Sequence, residues 1–139
     1  MSPPPAFAFA GASPYLALLG RLLLAVIFLL SGFSKLTGAS GTIAYIESAG
    51  LPAPTLAYAV ALVVELVGGL LLVVGFRTRL AALVLTLFTV AAAFGFHSDF
   101  ADQNQMIHFL KNIAITGGLL QVVGFGAGAL SFDARLQRD

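Results

Sequence analysis

The chain has 139 residues, of which 59% are hydrophobic and 9% charged, with a mean hydropathy of +0.99 and a net charge of +1. Soluble domains carry about 25% charged residues, so water is excluded as the main solvent, and the near-neutral balance excludes a nucleic-acid partner. The chain has no cysteine, which excludes disulfides, thiolate catalysis and Cys-ligated metal centres.

The first stretch, MSPPPAFAFAGASP, is expected to form a flexible N-terminal arm over residues 1–14, because prolines break a helix interior. It lacks the basic region of a signal peptide, so the apolar run that follows is expected to be retained as a membrane helix. Four such runs occur, at about 15–33, 56–76, 80–96 and 107–125, inside a transmembrane domain over 15–128. Each is close to the ~20 residues that a spanning helix needs. In lipid the backbone must satisfy its own hydrogen bonds, so the expected fold is all-α, an integral membrane four-helix bundle.

The first two runs are joined by a longer connection. Thr42–Ser48 is expected to form a short interfacial helix there, ended by Gly50, with Pro52 and Pro54 preventing a restart. GFRTR reads as a tight turn, and HSDFADQNQM as a short acidic link. Gly124, Gly126 and Gly128 read as a helix stop, followed by a tail over 129–139. Arg77, Arg79, Arg135 and Arg138 lie at one end of the bundle, against Lys35 and Lys111 towards the other. The positive-inside bias then predicts a multi-pass protein of a bacterial inner membrane with both termini cytoplasmic and the tail on that side.

Polar residues in these runs share helix faces. Arg21 and Lys35 share a stripe with Ala25, Phe28 and Gly32. Glu65 shares one with Tyr58, Leu62 and Gly69, beside Gly68. In the last run, His108 and Asn112 share a stripe with Thr116, and Lys111 is adjacent. A charge at mid-bilayer costs about 2.5–3.5 kcal/mol, so Glu65 should face the bundle interior and be paired. At 1.5 Å per residue across a core of about 30 Å, the axial gap between Arg21 and Glu65 is about 7 Å. Arg21 is therefore the expected partner, with Lys111 as its rival. Gly68 and Gly69 should let a neighbouring helix come close. The threonines of the third run are expected to bond back to their own helix. His97 and His108 could approach each other; interfacial histidines bonded to water or to Asp99 and Asp102 are the plainer reading than a haem or metal site.

The sequence resembles the DoxX family of small bacterial four-helix membrane proteins over about Arg21 to Asp133. The resemblance rests on RLLLAVIFLLSGFSKL, AGLPAP, ELVGGLLLVVGFRTRLAAL, HFLKNIAITGGLL and GFGAGALSFD, in that order. It departs at Ala127, where many members have proline. The resemblance implies the fold, a polar intramembrane cluster and, more loosely, a membrane subunit or partner of an oxidoreductase.

The candidate site is the polar cluster Arg21, Lys35, Glu65, His108, Lys111 and Asn112. No catalytic residue and no bound metal can be assigned from it. Glu65 and Lys111 could pass a proton to a bound quinone, while Asn112 and His108 hold its carbonyl and Phe28, Tyr58 and Leu62 supply apolar walls. Electrons would come from a partner enzyme, since no electron carrier can be read in the chain. Besides the lipid bilayer, a redox enzyme or a second copy of the chain are the expected partners. The alternatives are a transporter or binding protein for a small anion or lipid-like molecule, with Arg21 and Lys111 as its contacts, and an assembly factor whose polar cluster is structural.

Overall fold

A computed structural model describes residues 10–139 of the chain. The expected N-terminal arm lies outside the described residues up to residue 9. A 3-10 turn at Ala10–Ala12 leads into α1 (Ser13–Thr37), which is followed by α2 (Ala39–Ser48), α3 (Pro54–Val74), α4 (Thr78–Phe96), α5 (Gln103–Phe125) and α6 (Phe132–Leu136). Four of these, α1, α3, α4 and α5, are long and apolar enough to cross a membrane.

The helix ends follow caps rather than hydropathy. Ser13 and Pro14, expected in the arm, belong to α1, because Pro14 sits in its first turn, where no backbone donor is required. The same reason corrects the start of α3. Pro54 opens that helix instead of blocking it. α5 begins four residues before the apolar run, because the Asp102 side chain accepts from the N–H groups of Asn104 (2.8 Å) and Gln105 (3.2 Å). α3 stops at Val74, short of the expected Phe76. Gly75 takes a left-handed conformation (φ +72°), and the Phe76 N–H reaches back to the Leu71 carbonyl at 3.1 Å. In the tail, Ser131 caps α6 by accepting from the Ala134 N–H at 3.1 Å. The interfacial helix α2 starts at Ala39, earlier than Thr42, directly after Gly38 closes α1.

α1 packs along α3, α4 along α5, and α3 against α4, while α2 packs against α3; α1 and α5 touch only sparsely. Adjacent glycines on α3 permit two of these contacts. A Cβ on Gly69 would lie 2.8 Å from Leu29 of α1, and one on Gly68 would lie 2.9 Å from Leu85 of α4. The core is small and consists of Ala25, Phe28, Leu72, Ala82, Leu85 and Leu119. Most large apolar side chains point outward instead, with Leu30 66% and Phe125 82% exposed. Only a lipid solvent makes that surface stable, so the chain is an integral membrane protein. Thr86 and Thr89 donate to the carbonyls of Ala82 and Leu85, both at 2.7 Å, which is the back-bonding expected of them.

The α3–α4 turn is held by the tail. Asp133 accepts from the N–H of Arg77 (2.8 Å) and of Thr78 (2.9 Å), so a residue far along the chain caps α4. The Asp133 N–H donates to the Gly75 carbonyl at 2.8 Å. Burial disfavours the Asp133 charge, but the hydrogen bonds from Thr78 and Arg77 and the nearby Arg21 charge outweigh it and hold the carboxyl below its usual range. Asp133→Ala should therefore cost about 0.5–2 kcal/mol of stability, as a lost cap does. A carboxyl whose folded pKa is depressed stabilises above its unfolded value, about 3.9, and stops doing so as pH falls through the lower folded value. The melting difference between wild type and Asp133→Ala should thus be full at pH 7 and shrink below about pH 4.

Candidate functional site

Glu65 lies near the middle of α3 and is 4% exposed. Ser31 and Lys35, one turn apart on α1, face it. The Lys35 ammonium lies 2.9 Å from Glu65 Oε2, in the one ion pair found among the described residues. Ser31 donates to Glu65 Oε1 at 3.0 Å, and Lys35 donates to the Ser31 hydroxyl at 2.7 Å. Three side chains thus close a ring that neutralises the buried carboxylate. Lys35 sits in the last turn of α1, where the helix dipole favours a cation. Its carbonyl, left without a helical partner there, accepts from the Tyr58 hydroxyl at 3.0 Å.

The expected Arg21–Glu65 pair does not form. Arg21 is 2% exposed and lies at the opposite end of the bundle. Its guanidinium donates to the carbonyls of Ala127, Leu130 (2.9 Å) and Val73 (3.5 Å). Ala127 and Leu130 lie in the glycine-punctuated chain after α5 and Val73 in the last turn of α3, where carbonyls lack helical donors, and Arg21 supplies one. Gly75 is required beside it, since a Cβ there would lie 3.0 Å from the guanidinium carbon. Lys111 does not reach Glu65 either. It is exposed on α5, so the two cations expected to hold an anion share no cavity.

The Lys35–Glu65 ring opens into a cavity of about 780 Å³ bounded by α1, α2, α3 and α4, with Asn112 and Ile115 of α5 on its wall. Its lining is mainly apolar, including Phe28, Ile46, Phe88 and Phe96. Of the predicted site residues, Lys35, Glu65 and Asn112 line this cavity together. Of the expected walls, Phe28 lines it, while Tyr58 and Leu62 do not. The sequence reading missed Ser31 and Tyr45; Ser31 precedes Lys35 by one helical turn, which is the signal that could have found it. His108 is exposed and stacks on His97 with ring centroids 5.0 Å apart, and His97 lines the cavity. Burial, and then the neighbouring His108, hold the His97 pKa below the usual histidine value. Of the pair, His97 alone lines the cavity, with His108 stacked against it.

The DoxX family model matches residues 16–98, more than half of the chain. The chain belongs to the DoxX family. This DoxX chain is 40% identical to Inner membrane protein YqjF of Escherichia coli (strain K12), over 87% of its length and 92% of that protein's. It is 38% identical to Inner membrane protein YphA of the same organism, over 93% and 96%. It is also 39% identical to a Bacillus subtilis (strain 168) protein named "Putative oxidoreductase CatD", over 54% of each. No solved structure matches it. The family match includes Arg21, Lys35 and Glu65 and stops short of His108, Lys111 and Asn112.

Proposed function

We propose that this DoxX-family chain is a bacterial inner-membrane subunit or partner of an oxidoreductase system, with both termini in the cytoplasm, and that its cavity receives the head of a quinone. The observation that carries the reading is the ring of Lys35, Ser31 and Glu65 in the wall of a mainly apolar cavity. Ligand sites of this kind are mostly apolar, measure about 300–1,000 Å³ and hold a few convergent polar groups. The names of YqjF and YphA support the membrane, and that of CatD supports the redox link. The arginines at the tail end support the orientation.

A quinone would supply redox chemistry, accepting electrons from the partner enzyme. The chain's own residues position it. The Asn112 amide can donate to one of its carbonyls. The Lys35 ammonium can donate to another while remaining paired with Glu65. The carboxylate is the group able to hold a proton at the buried end.

The test is titration of a short-chain quinone analogue against the protein in nanodiscs. A neutral hydrogen bond contributes about 0.5–1.5 kcal/mol, so Asn112→Leu should weaken binding roughly three- to twelve-fold. Ala92→Phe, which fills the cavity without touching a charge, should abolish binding. Equal binding by wild type and both variants would remove the quinone reading and leave an assembly role with a structural polar cluster.

A further inference from the structure

A second cavity, of about 650 Å³, lies at the other end of the bundle, where the α3–α4 turn meets the chain between α5 and α6. Arg77 and Arg79 line it, together with Asp133 and Ser131. Asp133 is occupied by the backbone N–H groups of Arg77 and Thr78, and Ser131 by Gly128 and Ala134. Among the described residues neither arginine has a carboxylate within ion-pair distance. Arg79 is exposed but lies over the chain that follows α5. Its guanidinium lies against Gly126, where a Cβ would come within 3.2 Å of Nε. Behind the cavity wall, Arg21 adds a third positive charge, through its bond to Ala127, against the single negative charge of Asp133. The large apolar side chains in its lining are Leu80, Phe125 and Leu136, which are 58%, 82% and 53% exposed. Phe125 ends the spanning helix α5 and Leu80 lies in the first turn of the spanning helix α4, so these apolar side chains sit where the cavity meets the lipid.

We propose that this cavity binds the phosphate headgroup of an anionic glycerophospholipid, with Arg77 and Arg79 on the phosphate and Leu80 and Phe125 against the acyl chains. A guanidinium can grip a phosphate with two parallel hydrogen bonds. The position at the membrane boundary favours a lipid over a free phosphate, because the apolar walls would otherwise face only water or bulk lipid. The site is independent of the quinone cavity, which lies at the other end of the bundle.

The experiment is native mass spectrometry of the full chain, released from mixed micelles of phosphatidylglycerol and phosphatidylcholine, with the ratio of retained lipids as the readout. Wild type should retain phosphatidylglycerol preferentially. A juxtamembrane arginine is worth a roughly five-fold preference for anionic lipid, so Arg79→Gln should lose about that factor and Arg77→Gln/Arg79→Gln about thirty-fold. Arg138→Gln, with the same change of charge outside the cavity, should keep the wild-type ratio. Inorganic phosphate at millimolar concentration should not displace the lipid. An equal loss in Arg138→Gln would show general surface charge and overturn the site. Displacement by inorganic phosphate would overturn the lipid assignment. An unchanged ratio in the double variant would overturn both.

Discussion

Replacing Arg21 with leucine should lower stability more than any other single change at the tail end of the bundle. The substitution leaves the buried carbonyl of Ala127 and the part-buried carbonyls of Leu130 and Val73 without their donor. Hydrogen bonds to a charged group contribute about 1.5–3 kcal/mol each, and the Val73 contact at 3.5 Å is weak. Two good bonds then imply a loss of roughly 3–6 kcal/mol. The tail should also detach from the α3–α4 turn, so proteolysis near Ser131 should accelerate. Thermal unfolding in detergent checks the first effect, and limited proteolysis checks the second. Arg21→Leu and Glu65→Gln should be additive, because the two sites share no contact. Strong coupling between them would restore the Arg21–Glu65 pair that the sequence suggests.

The second large effect is asymmetric. Lys35→Met leaves Glu65, 4% exposed, with Ser31 as its one remaining hydrogen-bond donor. Removing one partner of a buried pair costs roughly 3–5 kcal/mol. The Lys35 side chain is 23% exposed, so in Glu65→Leu the ammonium can move outward and hydrate. Glu65→Leu should therefore cost less than Lys35→Met. The double variant Lys35→Met/Glu65→Leu should recover much of the loss of Lys35→Met, since neither charge then remains buried. Melting temperatures of the three variants in one detergent check the order. A Glu65→Leu variant less stable than Lys35→Met would show that the pair is held from the lysine side.

The four spans were legible in the sequence because lipid leaves few alternatives. A run of about 20 apolar residues with one or two charges must close its own hydrogen bonds. The helix ends were not legible from hydropathy, since Asp102 and Pro54 are polar or helix-breaking residues that nevertheless open α5 and α3. The glycine pair Gly68–Gly69 was readable as a close-approach surface, because small residues have that meaning in a membrane helix. The burial of Glu65 was readable for the same energetic reason. Its partner was not. Arg21 and Lys35 lie about four helical turns apart on α1, so choosing between them and Lys111 depends on how α1 and α5 are offset along α3, which hydropathy does not fix. The partners of Arg21 were harder still. They are backbone carbonyls of the tail, and a pattern of side chains does not display them.

Photolabelling with an azido-quinone in nanodiscs, followed by mass-spectrometric mapping of the modified residues, tests the central claim most directly. The account predicts labels within Tyr45–Ala61 and Phe88–His97, which line the Lys35–Glu65 cavity, with labelling competed by unmodified quinone and lost in Ala92→Phe. Labels confined to the lipid-facing residues of α1 and α5, unaffected by competitor or by Ala92→Phe, would contradict it.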